Sequence, residues 1–135
     1  MNVVHGKPPN WDELLKRFPD ANPDHLVVTY GDTIYMSQPH MFMYPDLLAH
    51  EGTHVRQQTA MGASLWWDRY YIEGQFRFDQ ELEAFRAQYL CRRKELKDRN
   101  RLARFLVERA TVLSGPMYGR MCTYGEAMKL IRNGL

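Results

Sequence analysis

His50, Glu51 and His54 stand in the order His-Glu-x-x-His within His50-Glu51-Gly52-Thr53-His54. On an α-helix, residues four apart share a face, with Cβ atoms roughly 5–6 Å apart. Two imidazoles so placed can close on one Zn²⁺ at about 2.0–2.1 Å from each nitrogen. Glu51, one step from His50, is badly placed to join them as a tetrahedral ligand, but its carboxylate can reach a water on the metal. Zinc lowers the pKa of such a water toward about 7, and a carboxylate then takes the proton as general base. The chemistry to which these three residues point is metal-assisted hydrolysis.

A catalytic zinc takes three protein ligands and leaves a fourth position open. No histidine follows His54, so the third ligand falls to a carboxylate on a following helix. Glu73, Glu81, Glu83 and Glu95 are the candidates. Glu81 and Glu83 lie in the better context, a helical run over 76–97 in which Phe78, Leu82, Phe85 and Tyr89 recur at spacings of four, three and four. At about 100° per residue the two glutamates point about 200° apart, so only one can face a metal. Glu81 borders the apolar stripe and Glu83 faces mostly away, which favours Glu81 and keeps Glu83 as the alternative. His5, His25 and His40 have no partner at ligand spacing and read as structural or solvated.

The flanks predict the helix that the histidine pair needs. Pro45 suits helix entry, Asp46 suits the N-cap or first turn, and Gly62 is the stop signal. Gly52 costs about 1 kcal/mol against Ala in a helix interior, which suggests close approach of another backbone or of a substrate. Leu26-Val27-Val28-Thr29-Tyr30 and Thr33-Ile34-Tyr35-Met36 flank Gly31-Asp32 and predict a hairpin, with Val3-Val4-His5 as a third short strand. Such a hairpin either offers its edge to an extended substrate or only covers the back of the metal helix.

Ahead of the hairpin, Asn10 and Glu13 form a capping-box variant opening a helix that carries Trp11, Leu14, Leu15 and Phe18 and ends at Pro19. After the metal helix, Ser64 is expected to cap a short aromatic helix ending near Gly74. Trp66, Trp67, Tyr70 and Tyr71 there read as core ahead of a substrate wall. The run 76–97 ends in Arg92, Arg93, Lys94 and Lys97, and Arg99, Arg101 and Arg104 extend a basic patch, read as a solvated helix terminus ahead of a phosphate site. A helix over 101–113 stops at Gly115-Pro116. Thr123 and Glu126 form a capping box for a last helix over 127–133, closed by Gly134. Tyr118 and Tyr124 are the candidate hydrogen-bond donors to a developing oxyanion.

The 135 residues suit one domain, residues 1–135, with one core. At 44% hydrophobic and 13% aromatic, the composition argues against disorder. A net charge of +2 gives no support to a nucleic-acid partner. Residues 1–9 lack an apolar signal core and no stretch is long enough to span a bilayer. The expectation is a soluble cytoplasmic protein with no membrane partner, with a phage particle or injection apparatus as the alternative destination. Cys91 and Cys122 lack C-x-x-C spacing and read as reduced thiols. The expected fold is α+β, a small hairpin-based sheet packed on mainly helical structure. Substrate and oligomeric state are left open.

His50-Glu51-x-x-His54 followed by Glu81-x-x-Ala84 resembles the gluzincin branch of the zincin metallopeptidases, in particular its small members, the minigluzincins. The string from Gly31-Asp32-Thr33-Ile34-Tyr35 through Leu47-Leu48-Ala49-His50-Glu51 to His54-Val55-x-Gln57-Gln58 is similar to metallopeptidase domains of phage-type proteins and contractile injection systems. The likeness covers about residues 26–90. It implies a zincin-like domain that cuts peptide or protein substrates, with His50, His54 and a helical glutamate, Glu81, on Zn²⁺ and Glu51 as general base. Many gluzincins place an Asp four residues after that glutamate to support a ligand histidine; here that position is Phe85. The rival implied by this departure is a zinc-stabilised module of a phage or secretion particle with little or no turnover.

Overall fold

Gly31-Asp32 reverses the chain between β2 (Val27–Tyr30) and β3 (Thr33–Met36). Gly31 takes the positive φ of 65° that a two-residue hairpin loop needs at its first position. In this computed structural model, which describes residues 1–39 and 44–133, β1 (Asn2–His5) adds to the far side of β3. It runs parallel to β3, with Val3 opposite Ile34, while β2 runs antiparallel, with Val28 opposite Tyr35. The strand order is therefore β1-β3-β2, a small mixed sheet with β2 at one edge. His40 and Gly134 lie outside the described residues.

Six helices occupy most of the remaining described chain: α1 (Trp11–Arg17), α2 (Pro45–Met61), α3 (Ala63–Ile72), α4 (Gly74–Glu95), α5 (Arg99–Leu113) and α6 (Tyr124–Asn133). The architecture is α+β, as expected from the sequence. The largest packing interface joins α2 to α4, and the buried side chains form one cluster running from Leu14 and Val28 through Trp66, Phe78 and Phe85 to Leu106 and Ile131. No helix among the described residues is long and apolar enough to cross a membrane.

Several ends depart from the sequence-based boundaries, each for a local reason. Gly62, at φ 94°, ends α2 and also directly precedes α3, so α3 starts at Ala63 without a Ser64 cap. Glu73 alone, in extended conformation, turns the chain from α3 into α4, and Gly74 opens the longer helix instead of closing the shorter one. A Cβ at Gly74 would stand 3.1 Å from the end of the Met121 side chain, so the loop before α6 packs closely on this glycine. Asn10 does not cap α1; its amide donates to the Tyr71 hydroxyl at 2.8 Å, a tertiary bond that takes the side chain away from the helix. Asp98 supplies a cap not foreseen, accepting from the Asn100 and Arg101 amides, and starts α5 two residues early. The Thr123–Glu126 capping box forms as expected, with bonds of 2.9 and 3.1 Å. The far end of α6 is tied down by Arg86, which donates to the Leu130 and Ile131 carbonyls.

Candidate metal centre

α2 and α4 cross so that His50, His54 and Glu81 meet. Asp46, His50, Thr53, His54 and Gln58 are all buried on α2, and Phe78, Leu82, Phe85 and Tyr89 fix the inward face of α4. That face carries Glu81 inward and leaves Glu83 exposed. Oε1 of Glu81 lies 3.2 Å from Nε2 of His50 and 2.9 Å from Nε2 of His54. The three residues are buried and offer donor atoms within 4.8 Å of one another, so the group could hold a metal ion.

The group fits a tetrahedral metal. Donors at about 2.0–2.1 Å around a tetrahedral Zn²⁺ stand about 3.3 Å apart, so the two distances from Glu81 Oε1 are within a few tenths of an ångström of ligand spacing. The tautomers fit as well. Nδ1 of His50 is 3.1 Å from Oε1 of Gln88, whose Nε2 donates to Asp46 at 3.0 Å. The amide group of Gln88 must face the carboxylate, so its oxygen faces His50 and His50 carries its proton on Nδ1. Gln57 does the same for His54, at 2.9 Å, while its own Nε2 donates to the Gln80 carbonyl and to Glu83. Both rings therefore turn Nε2 toward Glu81, the arrangement that outer hydrogen bonds impose on metal-binding histidines. Phe85 does not replace the supporting Asp; its ring packs edge-on against His50 at 4.9 Å, and Gln88 with Asp46 gives the polar support.

The other oxygen of Glu81 is held from above. The Tyr70 hydroxyl donates to Oε2 at 2.6 Å and the Tyr118 hydroxyl at 3.0 Å. Burial, and then the Glu81 charge, push both tyrosine pKa values well above 10. Burial works against a charged His54, but the adjacent Glu81 carboxylate outweighs it and raises the imidazole pKa to about 9. Burial likewise opposes a charged Glu81, and the positive His54 beside it still holds the carboxyl well below its ordinary range. Without a metal, an imidazolium–carboxylate pair sits where the ion would be.

Glu51 is buried beside the trio but not part of it. Its Oε2 accepts from the Thr29 hydroxyl at 2.7 Å. A cleft of about 560 Å³ is lined by His50, Glu51, His54 and Glu81, by residues 27–29 of β2 and by Arg109 of α5. Ser37 donates its amide to the Leu26 carbonyl, so hydrogen-bonded pairs alternate from there along the hairpin. The backbone groups of Val27 and Thr29 consequently point away from β3. Gln58 occupies part of that edge: its amide donates to the Thr29 carbonyl at 3.0 Å and accepts from the Gly31 amide at 2.7 Å. Trp67 donates to the same carbonyl at 3.1 Å.

The structure brings His50, Glu51, His54 and Glu81 together and adds Tyr118, whereas Tyr124 is exposed at the start of α6 and Glu73 is exposed on Arg69. The basic residues Arg92, Arg101 and Arg104 gather around a small hollow with Phe105 and Glu108, apart from the trio. Thr29, Asp46, Gln57, Tyr70 and Gln88 were missed from the sequence. The available signal was helical spacing: Asp46 lies four residues before His50, Gln57 three after His54, and Gln88 seven after Glu81. No family model, curated protein or solved structure matches this chain.

Proposed function

We propose that this protein is a zinc-dependent hydrolase of peptide bonds with a zincin-like active site. The observation that carries the reading is the division of labour among four buried groups: two Nε2 atoms and one carboxylate oxygen converge, while the Glu51 carboxylate stands next to them with a separate anchor. Two imidazoles and one carboxylate are a donor set that suits Zn²⁺ with an open position. When bound there, the metal supplies Lewis acidity toward a carbonyl oxygen and lowers the pKa of a bound water.

The chain's own residues supply the rest. Glu51 accepts a proton from the attacking water and returns it to the leaving amine, and Thr29 fixes the carboxylate for that exchange. The outward backbone groups of Val27 and the Thr29 amide supply a short edge along which an extended peptide can add as a further strand. Of the two tyrosines singled out from the sequence, Tyr118 lies in the cleft with its hydroxyl 3.0 Å from Glu81, where it holds that carboxylate and could serve an oxyanion, whereas Tyr124 is exposed outside it.

The test is Glu51→Gln. The variant should keep one metal per chain and its fold, and lose at least about 100-fold in peptide hydrolysis, the lower range of general base contributions. Equal cleavage by variant and wild type would remove Glu51 from the mechanism. A wild type that binds zinc and cleaves nothing in a broad peptide library would favour the zinc-stabilised module instead.

A further inference from the structure

Arg109 lines the cleft and has no use in the chemistry just described. Its guanidinium carbon lies 5.8 Å from the Phe85 ring centroid and 5.8 Å from that of Phe105, so two phenyl rings hold it in place. Its Nε is buried and has no hydrogen-bond partner, and no carboxylate among the described residues pairs with it. The carboxylates lining the cleft are Glu51 and Glu81, and both are engaged, by Thr29 and by the histidines and tyrosines. An arginine stays charged at any pH the fold survives, and a buried donor without a partner is costly. Among the described residues, this positive fork in the cleft therefore has no acceptor of the protein's own.

We propose that Arg109 is a carboxylate anchor for the substrate, an inference that rests on the peptide-hydrolase reading. The guanidinium is separated from His50 by one phenyl ring, whose centroid is 4.9 Å from the His50 ring. An extended peptide advances roughly 3.3 Å per residue, so the carboxylate sits within about three residues of the bond held over the histidines. A planar fork matches a carboxylate with two parallel bonds. The carboxylate comes either from an Asp or Glu side chain or from a free C-terminus, and the two sources require different peptides to tell them apart.

The experiment uses zinc-loaded protein carrying Glu51→Gln, so that peptides bind without being cut. Three unlabelled N-acetylated peptides, read by calorimetry, differ only in the group tested: neutral with an amidated end, neutral with a free C-terminal carboxylate, and amidated with one Glu in place of a neutral residue, its position scanned along the peptide. At least one carboxylate-bearing peptide should bind about tenfold or more tighter than the neutral amide, and adding Arg109→Met should abolish the difference. Tighter binding of the free-carboxylate peptide assigns a terminal carboxylate, and tighter binding of the Glu peptide assigns a side chain. Equal binding of all three, or a preference that survives Arg109→Met, overturns the proposal. Should Arg109→Met fail to fold or to hold zinc, Arg109→Lys decides. It keeps the charge without the fork and should cut the preference severalfold, and an unchanged preference overturns the anchor. Binding is read without turnover, so failure of wild-type protein to cleave any peptide would sink the hydrolase reading and leave this result to stand or fall separately.

Discussion

The neighbours of His54 orient it in a way that suits a metal and, without one, favour a proton. Its Nδ1–H is tied to Gln57 while Nε2 faces Glu81, and the imidazole pKa of about 9 means that the metal-free side chain is charged at neutral pH. A metal ligand must be a neutral imidazole. At pH 7.5, zinc uptake should therefore release close to one proton per chain from this residue, read as the slope of calorimetric heat against buffer ionisation enthalpy. Release near zero would mean that the pair with Glu81 is not what the ion displaces. The choice between the two helical glutamates is equally sharp. Glu81→Ala removes a donor and should weaken zinc binding by several powers of ten; Glu83→Ala removes only one of two bonds to Gln57 and should cost less than about tenfold. The reverse order would rotate α4. His50, Glu51 and His54 were legible because one short pattern carries them. The residues that orient them were not, because a glutamine or aspartate says nothing about its partner until two helices cross.

At the scale of elements, α2 shows how far local rules reach. Pro45 and Gly62 bound it as the sequence suggests, yet the close backbone approach offered as one reason for Gly52 is not found among the described residues. A Cβ there would meet only the Met1 sulfur, at an ordinary 3.7 Å, so no backbone approaches closely. Gly52→Ala should then stabilise the protein by up to about 1 kcal/mol, the propensity difference between the two residues. A thermal melt should show a rise of a few degrees. A fall would show that this turn needs the glycine for something besides space. The hairpin, the six helical runs and the buried stripe of α4 were readable from period and turn chemistry. The ends at Asn10, Gly74 and Asp98 were not, because each was decided by a neighbour distant in sequence or by competition between adjacent helices.

For the whole molecule, the trio is a clamp. It joins α2 to α4, Tyr70 brings in α3, and Tyr118 brings in the segment after α5. Zinc at 100 times its dissociation constant should add about 2.7 kcal/mol to stability, so chelation should lower the melting temperature by several degrees. The metal-free protein should show its own pH dependence. The raised His54 value gives stability that is fully present below the ordinary 6.5 and lost as pH rises through about 9. The lowered Glu81 value gives stability present above the ordinary 4.5 and lost as pH falls. Melts of the chelated protein should therefore peak between about pH 5 and 7 and decline on both sides; a plateau through pH 10 would contradict the His54 assignment. The sheet edge has a different consequence. With the Thr29 carbonyl and the Gly31 amide already taken by Gln58, the edge of β2 leaves a visiting strand, among the described residues, the two groups of Val27 and the amide of Thr29. Three neutral hydrogen bonds contribute on the order of 3 kcal/mol, a grip in the millimolar range or weaker. Such a handhold cannot retain polypeptide indiscriminately. Whatever lingers in this cleft must be chosen by its side chains, and passing polypeptide without the right ones would wash through it.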